Sequence, residues 1–376
     1  MKDSKDIFDN IEEELYKEEK IYYASQWQLI WWKFRRHKLA IFGGVILFLL
    51  YIIAIFCEFL SPYTPVTRFE GYQNAPPVKI HIVDNGKLQM PFIYGLKREL
   101  NMKTFQYEFT EDKTQKYYIH FFVKGEPYKL LGIFPTDKHL LGVEGTPIFL
   151  FGADNMGRCL FTRTFYGARI SLSIGLIGVF LSFILGVIIG GISGYFGGTV
   201  DIYIQRLIEF LSSIPTIPLW LGLSAALPKD WSVIKTYFAI TIILSIVGWC
   251  GLARVVRGKL LSLREEDFAL AARLAGASEW RIITRHLLPS FTSHLIVSIT
   301  LSIPSMILGE TALSFLGLGM QPPAVSWGVL LQDAQDIAAV ALYPWKLLPS
   351  LFVIITVLAF NFLGDGLRDA ADPYAR

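Results

Sequence analysis

Six apolar stretches, near 39–60, 169–193, 206–227, 234–253, 293–315 and 345–364, constrain this chain more than any other feature. Each reaches the roughly 20 residues that a helix needs to cross about 30 Å of hydrocarbon. A centrally placed Asp, Lys or Arg costs roughly 2.5–3.5 kcal/mol on insertion, and each Leu or Ile returns only a few tenths. The six runs mostly avoid that cost. Composition agrees, with 53% of residues apolar and only 18% charged, lean in charge for a soluble chain. The reading is an all-α integral membrane protein with six transmembrane helices, the third interrupted by Pro215 and Pro218.

The first run, at 39–60, is too long for the apolar core of a cleavable signal, follows a 38-residue lead and ends in no small-residue cleavage site. It is read as a retained span. Cys57, Cys159 and Cys250 are scattered without metal-ligand spacing, and both a Cys57–Cys159 disulfide and three buried thiols stay open. Lys33, Arg35, Arg36 and Lys38 directly precede the first span and predict an inside N-terminus, to which six crossings return the C-terminus. Between the fourth and fifth spans, Arg254, Arg257, Lys259, Arg264, Arg273, Arg281 and Arg285 agree with an inside loop. The other long loop, 62–153, also carries lysines but exceeds the length of about 60 residues beyond which loop charge stops governing topology. It is placed outside.

Four regions follow: a cytoplasmic tail with an interfacial helix (1–38), the first transmembrane helix (39–60), an outer insertion (62–153), and a core with five further spans (154–376). In the first, residues 1–20 are acidic and polar, and Trp27, Ile30, Trp31 and Phe34 recur at i, i+3, i+4 and i+7 among basic residues. That stripe suits a helix lying on membrane lipid with its tryptophans at the interface; an ordinary solvated lead helix is the alternative. In the insertion, Phe105–Thr110 and Tyr117–Val123 have strand composition, with Glu111–Thr114 predicted as a hairpin connection and Lys124–Pro127 as a second turn. A small β-rich domain and an irregular lid both fit.

The inner loop, 254–289, has a shape that hydrophobicity does not explain. Ser262-Leu263-Arg264-Glu265 fits a capping box, with Glu266 and Asp267 extending an acidic first turn. The helix it predicts presents Phe268, Ala271, Ala272 and Ala275 on one narrow, small-residue stripe. Such a stripe lets another surface come close but buries too little area to hold a core. Gly276 can end the helix in the left-handed conformation, Ser278 and Glu279 restart one, and Pro289 closes the loop.

The run Asp267–Ser278 followed by His286-Leu287-Leu288-Pro289 resembles the EAA loop of bacterial ABC importers, where a membrane subunit meets its ATPase. The glutamate that names the motif is Leu270 here, and the usual isoleucine is His286. Other segments follow in the order of the C-type permease of oligopeptide and dipeptide importers. Trp32–Ala40 resembles that family's N-terminal signature, and Gly152–Arg158 its Gly-Thr-Asp-x-x-Gly-Arg-Asp segment, with Ala153 and Cys159 as departures. Tyr166–Leu172, Gly194–Gly198, Ser314–Gly319, Gln321–Pro323, Ser326–Gly328 and Gly364–Asp369 complete the series. The resemblance implies a type I ABC importer permease with an enlarged outer loop. It implies partners too: a second homologous permease in a heterodimer, two ABC ATPase subunits and an extracytoplasmic substrate-binding protein. The implied coupling residues are Phe268, Ala271, Ala272, Ala275, Gly276, Arg281, Leu288 and Pro289.

No Gly-x-x-x-x-Gly-Lys-Ser/Thr loop occurs, so ATP is expected on a partner and no cofactor on this chain. Neither a catalytic constellation nor a metal set stands out, the six histidines being dispersed, and no nucleic-acid partner is expected. Glu310 lies in an apolar run near the outer interface, as a pathway residue or as a hydrogen-bonded structural acid. Arg206 and Glu209, three apart, read as a structural pair. The function expected is the permease of an ATP-driven importer of peptides or similar small solutes in the cell (inner) membrane. An ion-coupled secondary transporter is the alternative, although the spans lack the polar ligand cluster it needs. A membrane-anchored receptor would leave the 254–289 loop unexplained.

Overall fold

The computed structural model describes residues 25–84, 87–102, 106–228 and 230–372. The acidic lead at 1–20 lies outside them. Helix α1 (Gln26–Phe34) begins at a capping box in which Ser25 Oγ accepts from Gln28 N and Gln28 Oε1 accepts from Ser25 N. Trp27 and Trp31 are exposed on it, whereas Ile30 and Phe34 are half-buried.

Hydrocarbon cannot satisfy backbone polar groups, so the apolar runs close their hydrogen bonds internally as helices. These are α2 (Lys38–Ile55), α3 (Leu160–Phe196), the bent pair α4 (Gly198–Ser213) and α5 (Thr216–Ala225), α6 (Val233–Leu263), α8 (Thr292–Phe315) and α9 (Leu348–Ala371). Among the described residues five helices are long and apolar enough to cross a membrane, or six if the bent pair counts as one span. The pair bends by 81°. Ile214, the residue before Pro215, is extended at φ −84° and ψ 125°, because the proline ring disfavours helical backbone ahead of it.

The first span is shorter than the 39–60 expected. Its helix stops at Ile55 because Arg169 takes the last carbonyls: its guanidinium donates to Ala54 O (2.9 Å) and Ile55 O (2.8 Å). The same guanidinium grips both carboxylate oxygens of Glu58, in the short helical turn Cys57–Leu60. Elsewhere helices overrun their expected bounds, α3 at both ends and α6 by ten residues at its C-terminal end.

Glycines at every fourth position bring α3 and α6 into close contact. A Cβ on Gly190 would lie 2.4 Å from Ala253 O, one on Gly194 2.6 Å from Arg257 O, and one on Gly186 2.9 Å from Leu252 Cβ. Small residues four apart let two membrane helices meet backbone to backbone, where lipid offers no hydrophobic drive for association. Leu50, Leu172, Leu244, Ile307, Trp327 and Phe360 fill the core between the spans.

The insertion is a four-stranded antiparallel sheet, β1 (His81–Asp84), β2 (Lys87–Asn101), β3 (Gln106–Leu130) and β4 (Phe134–Val143), in that order. The expected hairpin at Glu111–Thr114 and turn at Lys124–Pro127 are both absent. Both segments lie within the 25-residue strand β3 as bulges. Asp112 pairs with Gly95 but Lys116 with Tyr94, so the three residues between are extruded, and Asp112 Oδ1 accepts from Thr114 N at 3.0 Å. Local turn chemistry is satisfied while pairing resumes on both sides, because β2 holds one half of β3 and β4 the other. Ile93, Ile119 and Ile148 form the sheet's own small core. Glu126, in the second bulge, accepts from Thr64 N (3.0 Å) and Thr67 Oγ1 (2.6 Å), tying the sheet to the segment after the first span. All three cysteines are free and buried, so Cys57 and Cys159 form no disulfide.

Candidate coupling site

Helix α6 runs straight into the inner loop and ends at Leu263, so Ser262 is helical and caps nothing. The expected capping box is therefore not formed. Helix α7 (Asp267–Leu274) starts instead at Glu266, which is extended at φ −73° and ψ 149° and makes no side-chain cap. At its other end Gly276 has φ +78°, its N–H bonds Arg273 O (3.0 Å), and Ala277 N–H bonds Ala272 O (3.1 Å). Those two bonds are the Schellman pattern, which glycine adopts without a Cβ clash.

The turn aims the two faces of α7 differently. Ala269 is buried and Ala272 half-buried, against a cluster that includes Tyr195, Leu260, Ile282 and Leu287. Phe268, Ala271 and Ala275 face solvent, so the stripe read from sequence is split: Ala272 belongs to the protein's own core. Leu274, unremarked in the sequence, is 90% exposed on the outward side, and Trp280 past the turn is 71% exposed. Periodicity could have found both, since neither fits the buried stripe yet both are large and apolar.

After the turn, Glu279–Arg281 leads into a wide π-turn, Ile282–Leu287, and a last helical turn, Leu288–Ser290. Pro289 has no N–H to give residue 285, and its ring crowds that carbonyl, which accounts for the widened register. Ile282, Ile283 and Leu287 are buried, Leu288 is half-buried, and Arg281 and Pro289 are exposed.

The loop stands on a braced base. Arg264 Nη1 donates to Tyr195 O (2.9 Å) and Gly194 O (3.3 Å), satisfying carbonyls at the end of α3. Arg257 on α6 holds Asp201 on α4 with both arms of its fork. Ser193 Oγ adds a third bond to that carboxylate at 2.6 Å. Arg273 of α7 lies 6.0 Å from the Tyr195 ring centroid. Helix α7 is thereby linked to α3, α4 and α6 through packed side chains and ion pairs.

At the opposite end of the spans Asp154 and Glu310 are buried, as is Glu58 under Arg169. Asp154 accepts from Met156 N (2.8 Å), Arg158 N (2.9 Å), Arg158 Nε (2.7 Å) and Arg163 Nη1. Its spacing alone does not mark Asp154 as a site; only the fold brings Arg158 and Arg163 onto it. Nearby, burial pushes the Asp333 carboxyl up, opposed by Arg163. Burial likewise pushes the Cys159 thiol up. Glu310 is fully buried and accepts from Ser171 Oγ (3.1 Å) and Ser314 Oγ (2.8 Å). Ser171 accepts in turn from Trp327 N at 3.1 Å and Ser314 from Met320 N at 2.9 Å. Glu310 thus joins α3 and α8 to the segment 316–327 through hydrogen bonds. Arg206 and Glu209 pair at 2.7 Å on the exposed face of α4.

The family profile described as "Binding-protein-dependent transport system inner membrane component" matches residues 186–376, and that of the "N-terminal TM domain of oligopeptide transport permease C" matches 25–77. Over 353 residues the chain is 33% identical to the dipeptide transport system permease protein DppC of Bacillus subtilis, covering 94% of this chain and 87% of that one. The chain belongs to this permease family. It is also 34% identical to the Lactococcus lactis dipeptide permease DppC, over 93% of this chain and 91% of that one. To the oligopeptide permease OppC of Bacillus subtilis it is 40% identical, over 60% of this chain and 72% of that one. The inward-facing MetNI methionine ABC transporter aligns with a TM-score of 0.43 at 19% identity, over 54% of this chain and 94% of that one. This permease has the type I ABC importer fold, is a membrane-embedded transport component and not an enzyme, and works with an ATPase and a substrate-binding protein. That membership displaces the ion-coupled transporter and the anchored receptor.

Proposed function

We propose that this permease imports peptides, and that α7 with the turn after it is the surface on which its ATPase docks. The observation that carries the reading is the outward face of α7. Leu274 and Trp280 are exposed beside Ala271 and Ala275, on a loop whose other face is fully packed and whose base is braced by Arg257 and Arg264. An apolar patch left open on an otherwise satisfied element marks a partner site. Phe268, Gly276, Arg281, Leu288 and Pro289 shape the same surface. Peptide cargo is supported by the relatives, which are named for dipeptide and oligopeptide transport.

In this reading both termini and the 254–289 loop face the cytoplasm across the inner membrane, and the sheet at 62–153 faces outward. A second homologous permease completes the path and two ATPases sit beneath. ATP binds those subunits, and no nucleotide binds this chain. ATP closure between them would press on α7, and the braced spans would swing to open the path to the other side. The test is uptake into proteoliposomes. Accumulation of a labelled peptide should need both permeases, the ATPases, ATP and the binding protein. Accumulation by this chain alone under an ion gradient would defeat the proposal.

A further inference from the structure

The outer sheet carries an apolar tip that nothing in the import reading uses. The turn joining β3 to β4 is Leu130–Ile133, closed by Gly132 N–H to Lys129 O (3.0 Å) and Ile133 N–H to Leu130 O (3.0 Å). Its central residues both have positive φ, Leu131 at +54° and Gly132 at +74°. Asn, Asp or Gly is the ordinary occupant of such a turn. A leucine there is strained, and strain held at an exposed site points to use of the side chain. Ile133 (70%) and Phe134 (62%) stand exposed beside it. Farther down β3, Phe121 and Phe122 are exposed as well, and Phe122 too has positive φ, +57°.

The strand's contacts say where this tip lies. Going along β3, Phe109 stacks on Tyr72, Ile119 joins the sheet core, and Phe122 meets Phe59 with centroids 6.1 Å apart. On the paired strand, His139 contacts Ser61 O. Phe59 and Ser61 close the short turn after the first span, so this part of the sheet sits against the end of that span and the tip lies beyond those contacts. Three exposed lysines collar it: Lys124, Lys129 and Lys138. Lys124 and Lys138 are direct cross-strand partners, a pairing of like charges that weakens a sheet unless an anion lies over it. Of the nearby carboxylates, Asp137 makes a long, exposed pair with Lys124 at 3.9 Å and Glu126 is taken by Thr64 and Thr67, so one carboxylate is set against the two lysines.

We propose that the β3–β4 tip is a membrane-surface finger. Leu131, Ile133 and Phe134 seat in the outer leaflet beside the first span, and Lys124, Lys129 and Lys138 contact anionic phospholipid headgroups. Apolar side chains buried about 5–10 Å below the headgroups, with cations above them, are the physical basis of such anchoring. The finger would fix the outer sheet to the bilayer as a platform of constant height. It rests on the outward placement of 62–153.

The test uses the assembled transporter in proteoliposomes of phosphatidylglycerol and phosphatidylethanolamine. An environment-sensitive fluorophore is placed on Ile133→Cys or, as an aqueous control, on Lys113→Cys. Spin-labelled acyl chains should quench position 133 several-fold more than position 113, and Lys124→Glu with Lys138→Glu should reduce that excess. Iodide quenching of 133 as strong as of 113 would place the tip in water and overturn the finger. Shielding of 133 from both quenchers would mean that protein covers it, and would overturn the lipid assignment equally. Reaction of Lys113→Cys with an impermeant thiol reagent only from the ATPase side would overturn the topology itself, a failure distinct from the other two.

Discussion

Two regions at opposite ends of the spans, the segment around Asp154 and helix α7, treat their side chains in opposite ways. Around Asp154 charge is drawn inward and paired: Asp154 is buried under Arg158, Arg163 and two backbone N–H groups. At the inner end apolar surface is pushed outward and left open, with Leu274 and Trp280 on a helix whose other side is packed. An end that completes its own bonds supplies rigidity. An end that leaves its apolar face unmatched is unfinished without a partner. Substitutions around Asp154 should therefore act on folding, and those on α7 on assembly and uptake.

The largest expected effect is at Asp154. Asp154→Ala leaves the Arg163 guanidinium, 2% exposed, without its carboxylate. Breaking one half of a buried pair costs about 3–5 kcal/mol, so the protein should melt far below wild type in detergent or fail to accumulate. A wild-type melt would erase the contrast between the two ends. Next is the α3–α6 seam. In Gly190→Val the new side chain would meet Ala253 O, so the helices must part; overpacking of this kind costs about 1–3 kcal/mol or more, read as a lowered thermal midpoint. Gly276→Val should cost less, about 1–2 kcal/mol of left-handed strain, since nothing lies within 4 Å of its Cβ position. Uptake should nevertheless collapse with insertion intact, and Gly276→Asn should restore much of it. Equal loss in both variants, or in neither, would show that the turn conformation is not what matters there.

Elements governed by local chemistry could be read from the chain, and those governed by what packs alongside could not. The spans follow from insertion energetics, the bend at Pro215 from ring sterics, and the left-handed Gly276 from the need to end a helix before a second one. The first span ends early because Arg169, more than a hundred residues later, takes its carbonyls. The turn residues of β3 form bulges because two different strands hold its halves. Ser262 and Glu265 satisfy the capping-box spacing, yet α6 continues through Ser262. Within the candidate coupling site, spacing alone puts Phe268, Ala271 and Ala275 on the exposed face, while Ala272 turns to the core, joining Ala269 in the cluster with Leu260 and Ile282. The glycines at 186, 190 and 194 carried a readable signal, four-residue spacing within an apolar run.

If the ATPase sits on the exposed face of α7, a cross-link from that face will capture it. Leu274→Cys should leave the melt of the permease within about 0.5 kcal/mol of wild type, because the side chain touches little of its own protein. In the assembled transporter, a short bifunctional thiol reagent should join that cysteine to the ATPase subunit, with a yield that changes when ATP is bound. If Leu274→Cys instead stays freely reactive to water-soluble reagents in the assembled transporter and forms no cross-link with or without ATP, the ATPase docks elsewhere and the account of coupling fails.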